Sequence, residues 1–241
     1  MKIVGIEKNS FVDYPGKIAA VAFTPGCNMN CFYCHNRDII CKNQGQKLLD
    51  AEAFLKFLAK RKAFLDGVVI SGGEPTLQAG LEAYITRIKA LGYPVKLDTN
   101  GTRPQILKRL IDKGLLDYVA MDVKAPLEKY EEICGISVEL DCIEASMALL
   151  LEGNIDYEFR TTFVPQLTEE DGVNIAQRIK GARRYVLQQF RRPVMETDFE
   201  DCRLEESPHS ADRIYSLGEQ IKRLVQDFEL RGVGWNHASL Q

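Results

Sequence analysis

No stretch of this sequence approaches the ~20 consecutive apolar residues that a membrane-spanning helix needs. Its start, Met1-Lys2-Ile3-Val4-Gly5-Ile6-Glu7-Lys8, meets charge before an apolar run can form, so no secretory signal is expected. A surplus of one charge is missing too. The formal net charge of −3 supplies no global field to recruit nucleic acid or an anionic membrane. There is no linker, low-complexity tract or strong internal repeat, which leaves one domain over residues 1–241. A disulfide framework is excluded as well. Seven cysteines are an odd count, and without an export signal the chain is read as cytosolic, where thiols stay reduced. A domain of this length buries enough surface to stand without cross-links, and its hydrophobic (45%) and charged (27%) fractions are ordinary globular values.

What is present is alternation. Short runs rich in Val, Ile and aromatics predict strands over 18–24, 67–71, 95–99, 118–123, 157–163 and 185–190. Helical patterns over 48–62, 77–91, 104–113, 139–151 and 168–179 fall between them, and a final helix is expected over 211–230. Asp50 and Thr168 suit helix starts; Gly92, Gly114 and Gly153 suit helix ends. A β-α unit repeated about six times with right-handed crossovers makes an open doubly wound sheet or a barrel. Only residues 191–210, with Pro193, Pro208 and several acids, look irregular, as a surface loop, a lid or a partner contact.

Ligands in βα folds sit at the carboxyl ends of the strands. Those ends are polar throughout: a cysteine-rich loop after the first, Ser71-Gly72-Gly73-Glu74-Pro75-Thr76 after the second, and Asp98-Thr99-Asn100-Gly101 at the third. Asp122 and Lys124 follow at the fourth, Arg160 on the fifth, and Gln188 and Gln189 on the sixth.

Cys27, Cys31 and Cys34 are spaced C-x-x-x-C-x-x-C. Three close thiolates can hold three irons of a cubane cluster and leave the fourth iron open for chemistry. Two rivals share these residues. Cys31-Phe32-Tyr33-Cys34-His35 is a literal haem c attachment pattern, but it leaves Cys27 unexplained and wants export. A structural zinc could use Cys27, Cys31, Cys34 and either Cys41 or His35, but there is no second knuckle. Cys41, Cys134, Cys142 and Cys202 are scattered and read as incidental thiols.

The run from Gly26-Cys27 to Cys34, with aromatic Tyr33 before the last cysteine, resembles the radical S-adenosylmethionine superfamily, as do Gly72-Gly73-Glu74-Pro75 and the βα repeat. Within it the chain resembles the activating enzymes of glycyl radical enzymes. Cys31-Phe32-Tyr33-Cys34-His35-Asn36-Arg37-Asp38, Asp98-Thr99-Asn100-Gly101 and Asp122-Val123-Lys124 are similar to segments of pyruvate formate-lyase activating enzymes. Asp13-Tyr14-Pro15-Gly16-Lys17, Val119-Ala120-Met121-Asp122-Val123-Lys124-Ala125-Pro126, Tyr157-Glu158-Phe159-Arg160-Thr161-Thr162 and Leu187-Gln188-Gln189-Phe190 resemble the activating proteins of anaerobic ribonucleoside-triphosphate reductases more closely.

The resemblance implies an incomplete, roughly sixfold (βα) barrel, an oxidoreductase activity, and a 4Fe–4S cluster on Cys27, Cys31 and Cys34. S-adenosylmethionine would chelate the open iron and be cleaved reductively to a radical that takes a Cα hydrogen from a partner's glycine. Tyr33 and His35 would lie near its adenosine, Gly72 and Gly73 would admit its methionine end, and Glu74 would accept from its ammonium. Asn100 falls in the cofactor-binding set, and Lys124 and Arg160 would meet a carboxylate or the ribose. Asp98 and Asp122 would bind a monovalent cation or the amine; the plainer reading makes them loop-bonding carboxylates. The implied partners are a glycyl radical enzyme, foremost an anaerobic ribonucleotide reductase, and a low-potential donor such as flavodoxin or ferredoxin, with no nucleic acid and no membrane. Three alternatives stay open: activation of pyruvate formate-lyase or a similar enzyme, a radical enzyme of modified-nucleoside biosynthesis, and a non-catalytic electron-transfer or zinc module. Partner choice would lie in surface segments such as 191–210 or the tail 232–241, with Trp235 as an anchor.

Overall fold

A computed structural model describes residues 1–41, 48–194 and 199–234. Trp235 and the tail beyond it, and the side chain of Cys41, fall outside the described residues.

The chain folds as one eight-stranded sheet with strands in sequence order. Strand β1 (Gly5–Ser10) runs antiparallel to β2 (Ala19–Thr24). From β2 onward every neighbour is parallel: β3 (Gly67–Gly72), β4 (Val95–Thr99), β5 (Tyr118–Asp122), β6 (Asp156–Phe163), β7 (Tyr185–Gln189) and β8 (Phe228–Arg231). The helices are α1 (Arg37–Cys41), α2 (Ala51–Lys60), α3 (Leu81–Ala90), α4 (Pro104–Asp112), α5 (Tyr130–Cys134), α6 (Leu140–Glu152), α7 (Glu169–Arg178) and α8 (Ala211–Ile221). β1 and β8 are the two edges and do not pair with each other, so the barrel is incomplete as expected.

Local chemistry accounts for the element ends. Asp50 accepts from the Glu52 N–H (2.8 Å) at the start of α2, and Thr168 and Asp171 form a reciprocal capping box on α7. The six expected strands all form. The expected helix over 211–230 does not run its length: α8 stops at Ile221, and Phe228–Arg231 becomes a seventh parallel strand. The reason lies in alternation. Phe228 and Leu230 pack outward on Tyr185 and on the Gly218 face of α8, while Glu229 and Arg231 turn inward to ion pairs with Arg184 and Glu158. Helices α1 and α5 were not anticipated; each is five residues, too short to show a period. Segment 191–210 is irregular as expected, with a single 3₁₀ turn at Cys202–Glu205 in its described part.

Most apolar side chains lie between sheet and helices, in one core from Ile3 to Ile221. The concave side of the sheet is different. A small apolar plug of Tyr14, Ala19, Val21 and Val69 closes its lower end, with Gly67 admitting the Tyr14 ring. Above the plug the interior is ionic, not the layered aliphatic packing common in closed barrels. Alternate residues of the strands put Lys96 and Asp98, then Glu158 and Arg160, on this inner face, where Lys96 and Glu158 are 2% and 1% exposed.

Candidate active site

A cavity of about 390 Å³ opens at the carboxyl ends of β2 to β7. Its lining includes Phe23, Ser71, Asp98, Asp122, Arg160, Thr162 and Gln188 from these successive strands, and Cys27, Cys31, Tyr33, Cys34 and His35 from the loop after β2. One wall contributed by so many strands requires the sheet to curl around it.

The cysteine loop has no regular secondary structure between β2 and α1, so tertiary bonds set its shape. Asn100 Nδ2 donates to Asn28 Oδ1 (2.9 Å), Asn36 Nδ2 to the Gly72 carbonyl (2.7 Å), and the Asn30 N–H to the Cys134 carbonyl (2.8 Å). Gly73 N–H reaches Thr24 O and Glu74 N–H reaches Gly26 O, both at 2.8 Å. This approach explains the two glycines. A Cβ on Gly73 would lie 1.8 Å from Gly26 O, and Gly72, at φ +112°, would bring one within 2.3 Å of Thr24 N. Both glycines line the cavity, but their missing side chains are required by the chain's own backbone.

Glu74 was expected to accept from an ammonium; its carboxylate is here engaged by the chain's own donors. It is fully buried and absent from the cavity wall. Oε1 accepts from Thr76 N–H (3.0 Å), Thr76 Oγ1 (2.5 Å) and Thr99 Oγ1 (2.9 Å), and Oε2 from Asn100 N–H (2.7 Å). Burial raises its pKa against these bonds, the Asn100 N–H first among them. Its carboxylate ties the end of β4 to the turn after β3. Asn100 serves the same frame through its backbone, while its side chain fixes the cysteine loop and accepts from Thr102.

Asp98, Asp122, Lys124 and Arg160 converge as expected, but as a matched set. Arg160 Nε lies 2.9 Å from Asp122 Oδ1 and its NH1 3.5 Å from Asp98 Oδ2; Lys124 Nζ is 2.8 Å from Asp122 Oδ2. Lys96 Nζ stands 3.0 Å from Asp98 Oδ1. Burial alone would raise both carboxyls. For Asp122 the attraction of Arg160 and then Lys124 outweighs it, for Asp98 that of Arg160 and then Lys96, so both stay ionised. Lys124 is held protonated against burial by Asp122. A monovalent cation would therefore enter in competition with Lys124 and Arg160. Lys96, Glu158, Asn36 and Thr162 were missed by the sequence reading. The first two carried a signal, since each stands two residues from Asp98 or Arg160 and so shares its face of the sheet.

Tyr33 is buried, its hydroxyl has no hydrogen-bond partner, and its ring centroid is 6.0 Å from Lys124 Nζ. His35 stands exposed at the rim, and partial burial followed by Arg191 lowers its pKa. The three thiols are each met by a donor: Met29 N–H for Cys27 (3.4 Å), the Asn36 N–H for Cys34 and the Cys134 thiol for Cys31. Burial lifts Cys27 to about 11, whereas the Cys134 bond brings Cys31 down to about 7. Among the described residues no three His, Cys, Asp or Glu side chains converge on one metal ion. A cubane would take one iron on each of Cys27, Cys31 and Cys34. Donors aimed at sulfur, an orphaned buried hydroxyl and a ready cavity all fit a cluster with a polar cofactor beside it.

A family model described as the radical SAM superfamily matches residues 21–179, well over half of the chain. The chain belongs to the radical SAM superfamily. That membership makes it an enzyme whose cofactors are a 4Fe–4S cluster and S-adenosylmethionine. A protein of Methanocaldococcus jannaschii, described as a candidate glycyl-radical enzyme activating enzyme, is 34% identical over 96% of this chain and 96% of its own length. A pyruvate formate-lyase 1-activating enzyme of Escherichia coli K12 is 30% identical over 70% of each chain. The radical SAM chain thus belongs among the activating enzymes of glycyl radical enzymes. Likeness to solved structures concerns the fold alone. Streptococcus suis SuiB bound to S-adenosylmethionine superposes with a TM-score of 0.64 at 14% identity, covering 86% of this chain and 48% of that one. Coproporphyrinogen III oxidase of E. coli gives 0.55 at 15% identity, with 88% and 53% covered. Among the described residues no helix is long and apolar enough to cross a membrane.

Proposed function

We propose that this chain generates a glycyl radical on a partner enzyme, and that the partner is an anaerobic ribonucleoside-triphosphate reductase. The observation that carries the first part is the cavity. About 390 Å³ is near the lower end for small-molecule pockets, so one nucleoside-sized cofactor would take most of it. A second substrate must then reach in from outside. A glycine on a protein loop suits that entry, having no side chain to block it. The reductase as partner rests on the similar segments 13–17, 119–126, 157–162 and 187–190.

In this reading Cys27, Cys31 and Cys34 would hold three irons. Bound together, and given one electron by a donor such as flavodoxin or ferredoxin, the cluster and S-adenosylmethionine would supply one-electron chemistry that releases methionine and removes a hydrogen atom from the partner's glycine. Tyr33 covers one side and offers its free hydroxyl. Gly72 and Gly73 keep their part of the wall at backbone height. Lys124 and Arg160, held by Asp122 and Asp98, present fixed positive charge to a carboxylate or ribose. His35 would stand at the adenosine side of the rim. A monovalent cation at Asp98 and Asp122 would have to displace Lys124 or Arg160 from them, and affinity for S-adenosylmethionine would then depend on potassium.

The test is electron paramagnetic resonance on the reduced, reconstituted protein mixed with S-adenosylmethionine and a candidate partner. A glycyl doublet on the reductase is expected. A doublet only on pyruvate formate-lyase would move the assignment to that partner, as the E. coli relative favours. Deoxyadenosine formation with no doublet on any partner would point to a small-molecule substrate.

A further inference from the structure

We propose that residues 199–205 form a clasp on the outer face of the cluster loop, with Phe199 and Arg203 as positioning residues for the iron-bearing cysteines. The inference rests on membership of the radical SAM superfamily and not on the identity of the partner.

Two stacks of opposite sense make the clasp. The Phe199 ring covers the Arg37 guanidinium, 3.5 Å from Cζ to centroid, and the Arg203 guanidinium covers the Phe32 ring at 4.2 Å. Each side gives one cation and takes one, so the stacks fix both sliding and rotation. Arg37 is 3% exposed and carries the load inward. Its NH2 donates to Asn30 Oδ1 (2.9 Å), the Asn30 carbonyl (3.3 Å) and the Cys31 carbonyl (3.1 Å). The Cys31 carbonyl also accepts the Cys34 N–H (3.2 Å), so Arg37 braces the turn that carries both cysteines. Arg203 is itself held rigid. Asp201 takes its Nε and NH2 at 2.9 and 2.7 Å, and the Glu132 carbonyl of α5 takes NH1 at 2.7 Å. Phe32 stands edge-on to Tyr33, with 5.1 Å between centroids. The clasp therefore presses on residues 32 and 37, on both sides of Cys34, and through Arg37 on the carbonyl of Cys31. The inner face of the loop is held separately by Asn100 and Asn36. Without the clasp the loop would keep only its Asn100, Asn36 and Asn30–Cys134 tethers.

The experiment compares Phe199→Leu, Arg203→Lys, Phe199→Tyr and Arg192→Lys in the full chain, reconstituted without oxygen. Readouts are the rate of iron release to a ferrous chelator and the resonance line shape of the reduced cluster with and without S-adenosylmethionine. A cation–π contact of this kind supports roughly a fivefold change. Phe199→Leu and Arg203→Lys should each release iron roughly fivefold faster, and the cofactor-induced line shape should broaden. Phe199→Tyr keeps the ring and should match the parent. Arg192→Lys alters only an exposed pair with Glu205 and should also match. In an Arg37→Lys background, Phe199→Leu should add little, because the stack is already weakened. Parent-like release and line shape in both clasp variants would overturn the proposal. So would Phe199→Tyr behaving like Phe199→Leu, or fully additive effects in the double variant.

Discussion

Glu74→Gln separates a framework carboxylate from a ligand-binding one. The parent side chain accepts four hydrogen bonds and donates none, three at Oε1 and one at Oε2. Glutamine retains one acceptor oxygen. If that oxygen faces Thr76 and Thr99, its NH2 points at the Asn100 N–H, donor against donor. The variant loses one charge-assisted bond, about 1.5–3 kcal/mol, and strands a buried N–H, about 1–3 kcal/mol. Removing a buried charge gives part of this back. A net loss of about 3 kcal/mol is expected, which in a chain of this size lowers Tm by roughly 6–12 °C. The assay is thermal unfolding of the metal-free protein under anaerobic conditions, paired with titration of S-adenosylmethionine into the reconstituted protein. An unchanged Tm with weakened binding of S-adenosylmethionine would refute the framework role and restore the ammonium role.

Gly73→Ala should cost about 3 kcal/mol by overpacking against backbone that has nowhere to move, and should lower the iron bound per chain because Gly26 precedes Cys27. Gly16→Ala, at φ +70° in open space, should cost only about 1 kcal/mol and leave iron unchanged; urea titration and iron analysis compare the two. Asp98 and Asp122 have depressed folded pKa values, so their stabilisation is complete above the unfolded carboxyl pKa of about 3.9 and is lost as pH falls through the folded values. Unfolding free energy should therefore fall below about pH 4, and less steeply in Asp122→Asn, as urea midpoints across acid pH would show. Cys34→Ser should abolish the visible absorbance of the reconstituted cluster, whereas Cys142→Ser, on α6 away from the cavity, should leave it intact.

Much of the architecture was legible because buried parallel strands are written as short β-branched and aromatic runs, and helix ends as local caps. Asp50 and Thr168 cap in place by contacts two and three residues away. The miss at β8 has a physical cause. Phe228-Glu229-Leu230-Arg231 is ambiguous by itself, and only Arg184 and Glu158 on neighbouring strands make the inward face attractive to Glu229 and Arg231.

The cysteine spacing and the polar strand ends marked, from sequence alone, where a site would form, because ligand spacing and strand termini are local properties; the choice of an iron–sulfur cluster over haem or zinc came from family resemblance. Roles within the site were decided by tertiary structure. Glu74 reads as a binding residue until its four donors are in place around it. Gly72 and Gly73 read as room for a ligand until Thr24 and Gly26 occupy that room. Cys134, far along the chain, reads as incidental until its carbonyl takes the Asn30 N–H of the cluster loop. In each case the partner is distant in sequence, so the charge, space or proton it contributes exists only once the sheet has curled and brought the two together.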